Sequence, residues 1–328
     1  MSILQYPKDP QLDLGVSIVP ELHARQSWVG ACEFHALSVE EVLREVGRRV
    51  SEQVRLRKRP IVLLDLDSTL YEVGRRTHFI LQEWAAAQSI LNPVGLSLEI
   101  SWEPLLTPSA GSHTQGDTHG HSHVHPQSHP QVKAAILRLK HEDIGYSIRD
   151  TFSKIDSLAG RALGSNGSHT TPAHLANAFE EVRNFWNDRF FTSSYLTHDR
   201  PYLGAVEFVR NLHALGAHIV YLTGRDEPNM GEGTRANLIR DGFPWDMERT
   251  QLFMKPLASM DDLTFKKQAA SLVNGHGELI ASFENEPPNV AALHELLPEV
   301  MHVFLDTVCS DHLARPRKGL YRIPGFLS

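Results

Sequence analysis

The segment that sets the predicted architecture of this chain is Ile61-Val62-Leu63-Leu64-Asp65-Leu66-Asp67-Ser68-Thr69-Leu70. Its leading apolar residues are typical of a short strand that is buried on both faces of a parallel sheet. Two aspartates separated by one residue follow the strand, and a pair of hydroxyl side chains comes next. Because ligands of open α/β sheets bind at the carboxyl ends of the strands, the segment also predicts the position of a functional site.

Four further apolar runs have the same character and predict four more buried strands. They are His218–Leu222, Gln251–Met254, Leu279–Phe283 and Met301–Leu305. Between the later runs, apolar residues recur at helical spacing in residues 206–212, 265–272 and 290–297. Alternating strands and helices predict an α/β fold, in which a doubly wound parallel sheet carries helices on both faces. We assign residues 59–70 and 200–328 to this core.

Residues 71–199 interrupt the alternation between the first and second predicted strands. This stretch is far longer than a single crossover helix requires. Helical patterns occur within it at Val73–Leu91, Val132–Leu163 and Leu175–Phe191. We therefore expect an inserted α-helical domain that emerges beside the functional end of the first strand.

One segment of the insert, residues 107–130, is rich in Ser, Gly, Pro and His and has almost no apolar side chains. Its histidines are His113, His119, His121, His123, His125 and His129. Such a composition cannot bury enough surface to offset the entropy lost on ordering, so the sequence predicts a disordered loop. The alternating histidines could chelate zinc, nickel or copper.

Residues 1–58 are assigned to an N-terminal appendage that packs on the core. Apolar residues recur at helical spacing near its end, at Val42, Val46, Val50 and Val54. This pattern predicts one amphipathic helix that leads into the first strand.

The composition is that of an ordinary globular protein, with 41% hydrophobic and 22% charged residues. The formal charge of −7 disfavours a dedicated nucleic-acid binder, because such proteins are usually basic. The two cysteines are too few for a disulfide framework and suit a reducing compartment. The sequence shows neither a targeting segment nor an apolar run of membrane-spanning length, so we expect a cytoplasmic protein with no membrane partner.

Asp65 and Asp67 are the strongest candidates for chemistry. Their spacing can place both carboxylates beside one small ligand while Leu66 turns away. A carboxylate can attack phosphorus and form an acyl phosphate, and a second carboxyl group can exchange protons with the leaving oxygen and the incoming water. Two close anions beside a phosphate need a neutralising cation, and Mg²⁺, which prefers oxygen ligands, is the expected cofactor.

Thr223 and Gly224 follow the predicted strand His218–Leu222 and form a second candidate position. A hydroxyl group and the backbone N–H of a glycine can bind a phosphate oxygen without adding charge. Arg225 comes next and can either touch the substrate or form a structural ion pair with a core carboxylate.

A fixed cation is expected to hold the phosphate and the nucleophile together, and two lysines are candidates for it. Lys255 follows the strand Gln251–Met254, whereas Lys266 lies at the start of the predicted helix over residues 265–272. Lys266 is favoured because its position could direct it back to the strand ends. Lys255 stays open as a residue that binds phosphate.

Carboxylates also follow the strand Leu279–Phe283, where a further magnesium ligand is needed. Glu284 is the better candidate because it leaves the strand first. Glu286 is the alternative, as a hydrogen-bonding residue or as one that binds water near the metal.

The four positions together resemble the haloacid dehalogenase superfamily, over about residues 59–70 and 201–304. The motif Asp65-x-Asp67-x-Thr69 is highly specific for the phosphotransfer branch of that family. The run from Pro201-Tyr202-x-Gly204 to Leu222-Thr223-Gly224-Arg225 is similar to its second-motif region. The resemblance implies a Rossmann-like core and makes the insert a helical cap that covers the site and selects substrates.

The resemblance also implies roles for individual residues. Asp65 would be the nucleophile and a metal ligand, and Asp67 the acid/base whose backbone carbonyl also binds magnesium. Thr223 would bind phosphate, and Glu284 would complete the metal site in a motif that usually begins with Asp. A lysine just before the helix that leads to the fourth motif is similar to the polynucleotide-phosphatase pattern, which favours Lys266.

We therefore expect hydrolysis of a small phosphorylated metabolite through a phospho-aspartate on Asp65. A phosphomutase would use the same residues, and a nucleic-acid-end phosphatase is disfavoured by the acidic charge. The presence of Asp67 argues against dehalogenase and cation-pump chemistry, since those relatives lack a carboxylate there. The non-enzymatic alternative is a metal-binding protein that uses the His-rich segment.

Overall fold

A computed structural model describes residues 23–90, 129–162 and 173–327. The chain divides into two compact units, with breaks between Glu72 and Val73 and between Asp199 and Arg200. We call the unit with both chain ends the core unit and the other the insert unit. Within the described ranges, no helix is both long and apolar enough to cross a membrane.

The described part of the core unit contains a seven-stranded sheet and a separate pair of short strands. The strands are β1 (Glu33–Phe34), β2 (Pro60–Leu64), β3 (Tyr71–Glu72), β4 (Arg200–Pro201), β5 (His218–Asp226), β6 (Thr250–Lys255), β7 (Glu278–Glu284), β8 (Met301–Leu305) and β9 (Lys318–Ile323). The sheet is parallel, in the order β1-β9-β8-β7-β2-β5-β6, and β3 pairs with β4 in antiparallel fashion. The predicted doubly wound α/β fold is confirmed.

Helices flank this sheet on both faces and also build the insert unit. They are α1 (Arg25–Ala31), α2 (Val39–Arg55), α3 (Gly74–Ile90), α4 (Pro130–Ile136), α5 (Ile148–Ala162), α6 (Ala173–Phe190), α7 (Ala205–Ala214), α8 (Glu227–Asp241), α9 (Asp262–Asn274) and α10 (Pro287–Leu296). Ile61 and Leu63 of β2 pack into one cluster with residues of α9 and α10. Because side chains alternate along a strand, Val62 and Leu64 face the opposite layer, on which α2 contacts β2.

The described N-terminal residues contribute more to the core unit than the predicted appendage with one helix would. The predicted amphipathic helix is α2, which Ser38 caps together with Glu41 and which buries Val42 and Val46. Before it, β1 extends the sheet by pairing with β9. Trp28 of α1 is fully buried and donates its indole N–H to the carbonyl of Arg315 at 2.9 Å. The described residues 23–58 therefore belong to the core unit.

The register of three neighbouring strands brings their carboxyl ends together. Leu64, the last residue of β2, lies opposite Tyr221 of β5 and Phe283 of β7. The backbone N–H of Asp65 continues this pairing and donates to the carbonyl of Phe283 at 3.1 Å. Side chains that follow β2 and β7 consequently meet at one edge of the sheet.

The insert unit is helical, as its pattern predicts, but one predicted helix is divided. The helix predicted over Val132–Leu163 is represented by α4 and α5 in the described residues, with a turn of 3₁₀ helix between them. Ser147 starts α5, because its hydroxyl accepts the N–H of Asp150 at 3.1 Å and its own N–H donates to the Asp150 carboxylate at 2.9 Å. This reciprocal cap is a stronger helix-start signal than the continuous apolar spacing across it.

A buried ion pair and a buried histidine accompany the apolar core of the insert unit, which includes Trp84 and Trp186. Arg76 and Asp199, both fully buried, pair at 2.7 Å. His129, assigned to the disordered loop by composition, is instead buried beside Glu181, with 3.2 Å between Nε2 and Oε2. The rest of that loop before His129 lies outside the described residues.

A buried histidine should make the stability of the core unit depend on pH. His302 lies 2.7 Å from the Ser282 hydroxyl through Nδ1 and 2.8 Å from the carbonyl of Leu297 through Nε2. Burial, aided by His294, lowers its pKa to about 4 from an ordinary value of 6.5. The unfolded chain therefore binds a proton that the folded chain excludes as the pH falls from 6.5 towards 4. The stabilisation present above pH 6.5 is thus lost over that interval, by up to about 3 kcal/mol.

Urea unfolding at pH 7, 5.5 and 4.5 checks this expectation. His302→Gln removes the titrating group, so its free energy of unfolding should decline less steeply with acidification than that of the wild type. Parallel pH profiles for the two proteins would contradict the assignment.

Candidate active site

The aspartate that follows β2 is buried and held at both carboxylate oxygens. Only 5% of Asp65 is exposed. Lys266 donates to its Oδ1 at 2.7 Å, and the Thr69 hydroxyl donates to its Oδ2 at 2.9 Å. These contacts fix the orientation of the carboxylate at the end of the strand.

Lys266 also connects Asp65 to the strand on the other side. Its ammonium group donates to Oε2 of Glu284 at 2.6 Å, and all three side chains are buried. Lys266 lies in the first turns of α9, where Phe265 packs against the sheet and directs its neighbour to the strand ends. The structure thus joins Asp65, Lys266 and Glu284 in one cluster, which we call the buried triad.

The other lysine candidate lies in a different environment. Lys255 donates to Asp262 at 2.6 Å and to the carbonyl of Ala258 at 3.3 Å. Of the two candidate lysines, Lys266 is therefore the one in contact with Asp65, as the sequence favoured.

The buried triad carries two carboxylates and one ammonium, and hence an excess negative charge. Burial raises the pKa of Asp65 to about 7; the charge of Glu284 adds to this rise and Lys266 opposes it. Burial alone would lower the pKa of Lys266, but the two carboxylates outweigh it and raise that pKa above its ordinary value. A further cation beside Asp65 and Glu284 would offset the excess charge.

Glu284 and Glu286 have different partners, which distinguishes the two carboxylates that follow β7. Oε1 of Glu284 accepts the backbone N–H groups of Asn285 and Glu286, each at 3.1 Å. Glu286 accepts the backbone N–H of Ser310 at 3.0 Å and also binds its hydroxyl. Glu284 therefore belongs to the buried triad, whereas Glu286 ties this loop to the segment after β8.

Asp67 forms an ion pair with Arg225 of β5. The guanidinium Nη2 lies 2.6 Å from Oδ1, and Nε lies 3.1 Å from both carboxylate oxygens. The Arg225 side chain is 1% exposed and that of Asp67 is 36% exposed. Of the two alternatives for Arg225, the structure shows the ion pair. Its partner is Asp67, a catalytic candidate already identified from the sequence, although the sequence did not predict that these two residues pair.

The second candidate position, Thr223 and Gly224, is closely packed. Thr223 is fully buried, and its Oγ1 accepts the N–H of Arg225 at 3.3 Å. A Cβ atom at Gly224 would lie 2.4 Å from a carboxylate oxygen of Asp262 at the start of α9. Only glycine therefore fits at this point without displacing that side chain.

Two features of the site escaped the sequence reasoning. Asn285 places its Oδ1 3.2 Å from the Thr69 hydroxyl and donates through Nδ2 to the carbonyl of Val308 at 2.7 Å. Ser68 adopts a φ of 57°, which is uncommon for a residue with a side chain, and its carbonyl accepts the Thr307 hydroxyl. Ser68 lies in the segment Ile61–Leu70, and Asn285 lies between Glu284 and Glu286, but neither residue type by itself signals its partner.

The carboxylates of the candidate site fit Mg²⁺ better than they fit a metal ion whose ligands all come from protein side chains. Within the described ranges, no group of three or more His, Cys, Asp or Glu side chains could hold a metal ion. Mg²⁺ usually takes one or two carboxylates and fills its other positions with water and substrate phosphate. In such a site, Asp65 and Glu284, which both contact Lys266, would be the two carboxylates.

Comparisons with known proteins give matches among solved structures. No protein-family model matches the chain, and no curated protein does. A phosphatase candidate from Clostridium difficile is 13% identical, with 77% of this chain and 88% of that chain covered and a TM-score of 0.40. A haloacid dehalogenase-like family hydrolase from Streptococcus pneumoniae is 8% identical, with 75% and 84% covered and a TM-score of 0.36. A predicted phosphoglycolate phosphatase from Haemophilus somnus is 11% identical, with 79% and 92% covered and a TM-score of 0.36.

Proposed function

We propose that this protein is a magnesium-dependent phosphomonoesterase of the haloacid dehalogenase type, acting on a small phosphorylated metabolite. The observation that carries the proposal is the buried triad, in which one lysine binds both Asp65 and Glu284. A buried cluster with excess negative charge is unfavourable for stability alone, because desolvation of its ions is costly. The arrangement is better explained by a catalytic role, in which a cation and a phosphate group bind beside the triad.

The residues divide the reaction into two steps. Asp65 attacks phosphorus, while Asp67 gives a proton to the leaving alcohol oxygen. Water then attacks the acyl phosphate on Asp65 and passes its proton to Asp67, and inorganic phosphate is released. Lys266 holds the nucleophilic carboxylate in position throughout.

Other groups would bind the ligands of this reaction. The Thr223 hydroxyl and the Gly224 N–H would each donate a hydrogen bond to a phosphate oxygen. Asp65, Glu284 and the carbonyl of Asp67 would hold magnesium, which supplies positive charge against the phosphate and the carboxylates. Arg225 keeps Asp67 beside the strand end between turnovers.

Phosphate release from p-nitrophenyl phosphate tests the proposed function. We expect turnover with Mg²⁺, none with excess EDTA, and inhibition by beryllium fluoride, which occupies the phosphoryl position on an aspartate. A panel of cellular phosphate esters then identifies the substrate class. A chain that binds Mg²⁺ and yet releases no phosphate from any ester in that panel would contradict the enzyme assignment.

Glu284 should contribute more to magnesium binding than Glu286. Glu284→Gln is expected to raise the magnesium concentration for half-maximal activity by at least about tenfold, a loss seen even when only a partner of a metal ligand is removed. Calorimetric titration with MgCl₂ should show the same weakening without turnover. Glu286→Gln is the matched control, because that carboxylate binds Ser310, and it should change the magnesium dependence less than Glu284→Gln does. The opposite ranking would exchange the two roles.

A further inference from the structure

A cavity lies in the core unit at the edge of the sheet opposite the candidate active site. It has a volume of about 160 Å³. Arg59 precedes β2, His218 begins β5, and Arg249 precedes β6, so the cavity lies at the amino-terminal ends of these three strands. His276, which follows α9, completes the basic part of its lining. We call this space the basal cavity.

Positive charge converges on one wall of the basal cavity. Arg59, His218 and Arg249 all line the cavity. Burial lowers the pKa of His218, and the positive charges of Arg59 and Arg249 lower that pKa further. Asp246 and Glu248 act in the opposite direction. The Asp246 carboxylate, however, already accepts the backbone N–H groups of Glu248 and Arg249, at 3.0 and 2.6 Å.

One polar atom of this wall lacks a partner. Within the described part of the chain, Nδ1 of His218 is buried and has no hydrogen bond. Buried polar groups in proteins are nearly always paired with protein, water or ligand. An anionic ligand would supply both an acceptor for this nitrogen and a counter-charge for the arginines.

The rest of the lining is apolar and small. Ile61, Phe253 and Leu272 contribute to it beside the basic groups. Pockets for drug-sized ligands usually enclose about 300–1,000 Å³, so this space suits a smaller molecule with an apolar body. A bare inorganic ion would leave the apolar surface uncovered.

We propose that the basal cavity binds a small organic anion, in which one carboxylate or phosphate group is attached to an apolar ring or short hydrocarbon. The charged group meets Arg59, Arg249 and His218, and the apolar body covers Ile61 and Phe253. Nothing in this assignment depends on the proposed phosphatase activity, because it uses none of the residues of the active site.

Calorimetric titration of the full chain with benzoate tests the proposal. We expect saturable binding at one site, and binding of the uncharged analogue benzyl alcohol should be at least about tenfold weaker, because hydrogen bonds to charged groups are the strong ones. Arg249→Gln and Arg59→Gln should each weaken benzoate binding by about tenfold or more. Arg138→Gln is the control, since it removes the same charge from an exposed position on the insert unit.

The two arginine variants protect the test against a folding defect. Arg249 donates to the carbonyl of His213 at 2.7 Å, so its replacement could disturb the unit, whereas the Arg59 side chain is exposed. Benzoate affinity that is unchanged in Arg59→Gln overturns the proposal. The absence of saturable benzoate binding, or equal affinity for benzyl alcohol, does so as well.

Discussion

Asp65→Asn is expected to reduce phosphate release from p-nitrophenyl phosphate by at least about 10⁴-fold, because the attacking oxygen is lost while the rest of the site is kept. Asparagine has nearly the same shape as aspartate, so Thr69 and Lys266 can still surround it. No covalent adduct should form on this variant. Initial rates with and without Mg²⁺, together with intact-protein mass spectrometry, provide the measurement.

The stability of the same variant separates chemistry from folding. The buried triad has one negative charge in excess, and burial raises the pKa of Asp65. Replacing this carboxylate with a neutral amide removes the excess, so the free energy of unfolding should be no lower than that of wild type. Asp188→Asn, at an exposed position of the insert unit, is the matched control and should keep both activity and stability. Near-normal turnover by Asp65→Asn would refute the covalent mechanism.

The strands that carry the site are the part of the fold most accessible from sequence. A parallel strand buried on both faces is a nearly continuous apolar run, and β2 and β8 show this plainly. Strand β9 was not predicted, because only part of Lys318–Ile323 is buried and its sequence mixes charged with apolar residues. Helix α8 was missed for a related reason: Gly231 and Gly233 lower its helix propensity, and its buried residues include several polar ones.

The candidate site shows the same division between local and long-range information. Asp65 and Glu284 each follow an apolar strand, so parallel register alone brings them to one edge of the sheet. The Arg225–Asp67 pair spans 158 positions, and Thr69 and Asn285 are 216 positions apart. Such contacts depend on how a loop leaves each strand, which hydrophobic periodicity does not encode. The sequence favoured Lys266, but its contact with Asp65, and the contact of Lys255 with Asp262 instead, were visible only in the structure.

Asp67→Asn should give a slow enzyme that accumulates a covalent intermediate. An acid/base residue typically contributes about 10²–10⁴-fold, so turnover should fall by that order. The fall should be largest for alkyl phosphates, whose leaving alcohols need protonation most. With p-nitrophenyl phosphate the first step needs little acid assistance, but water still lacks its base, so phospho-Asp65 should build up.

The trapped species can be identified chemically. A single phosphoryl group should appear on the peptide containing Ile61–Leu70, stable to acid and released by hydroxylamine, as expected for an acyl phosphate. Rapid quenching should show a burst of p-nitrophenol no larger than one equivalent per chain, followed by slow turnover. Wild-type enzyme under the same conditions should show little adduct, because Asp67 speeds its hydrolysis.

The ion pair with Arg225 complicates the interpretation of Asp67→Asn, because the substitution also affects stability. Variants of Arg225 provide the control. Asp67→Asn leaves the guanidinium buried without its counter-charge, and breaking a buried pair from one side typically costs about 3–5 kcal/mol. Asp67→Asn/Arg225→Gln removes both charges and should recover stability without recovering turnover. Arg225→Gln alone leaves a half-exposed Asp67 that still exchanges protons, so its loss of activity should be smaller than that of Asp67→Asn. If the double variant regained activity, or if no adduct formed on the slow Asp67→Asn enzyme, Asp67 would not be the acid/base and its pairing with Arg225 would be purely structural.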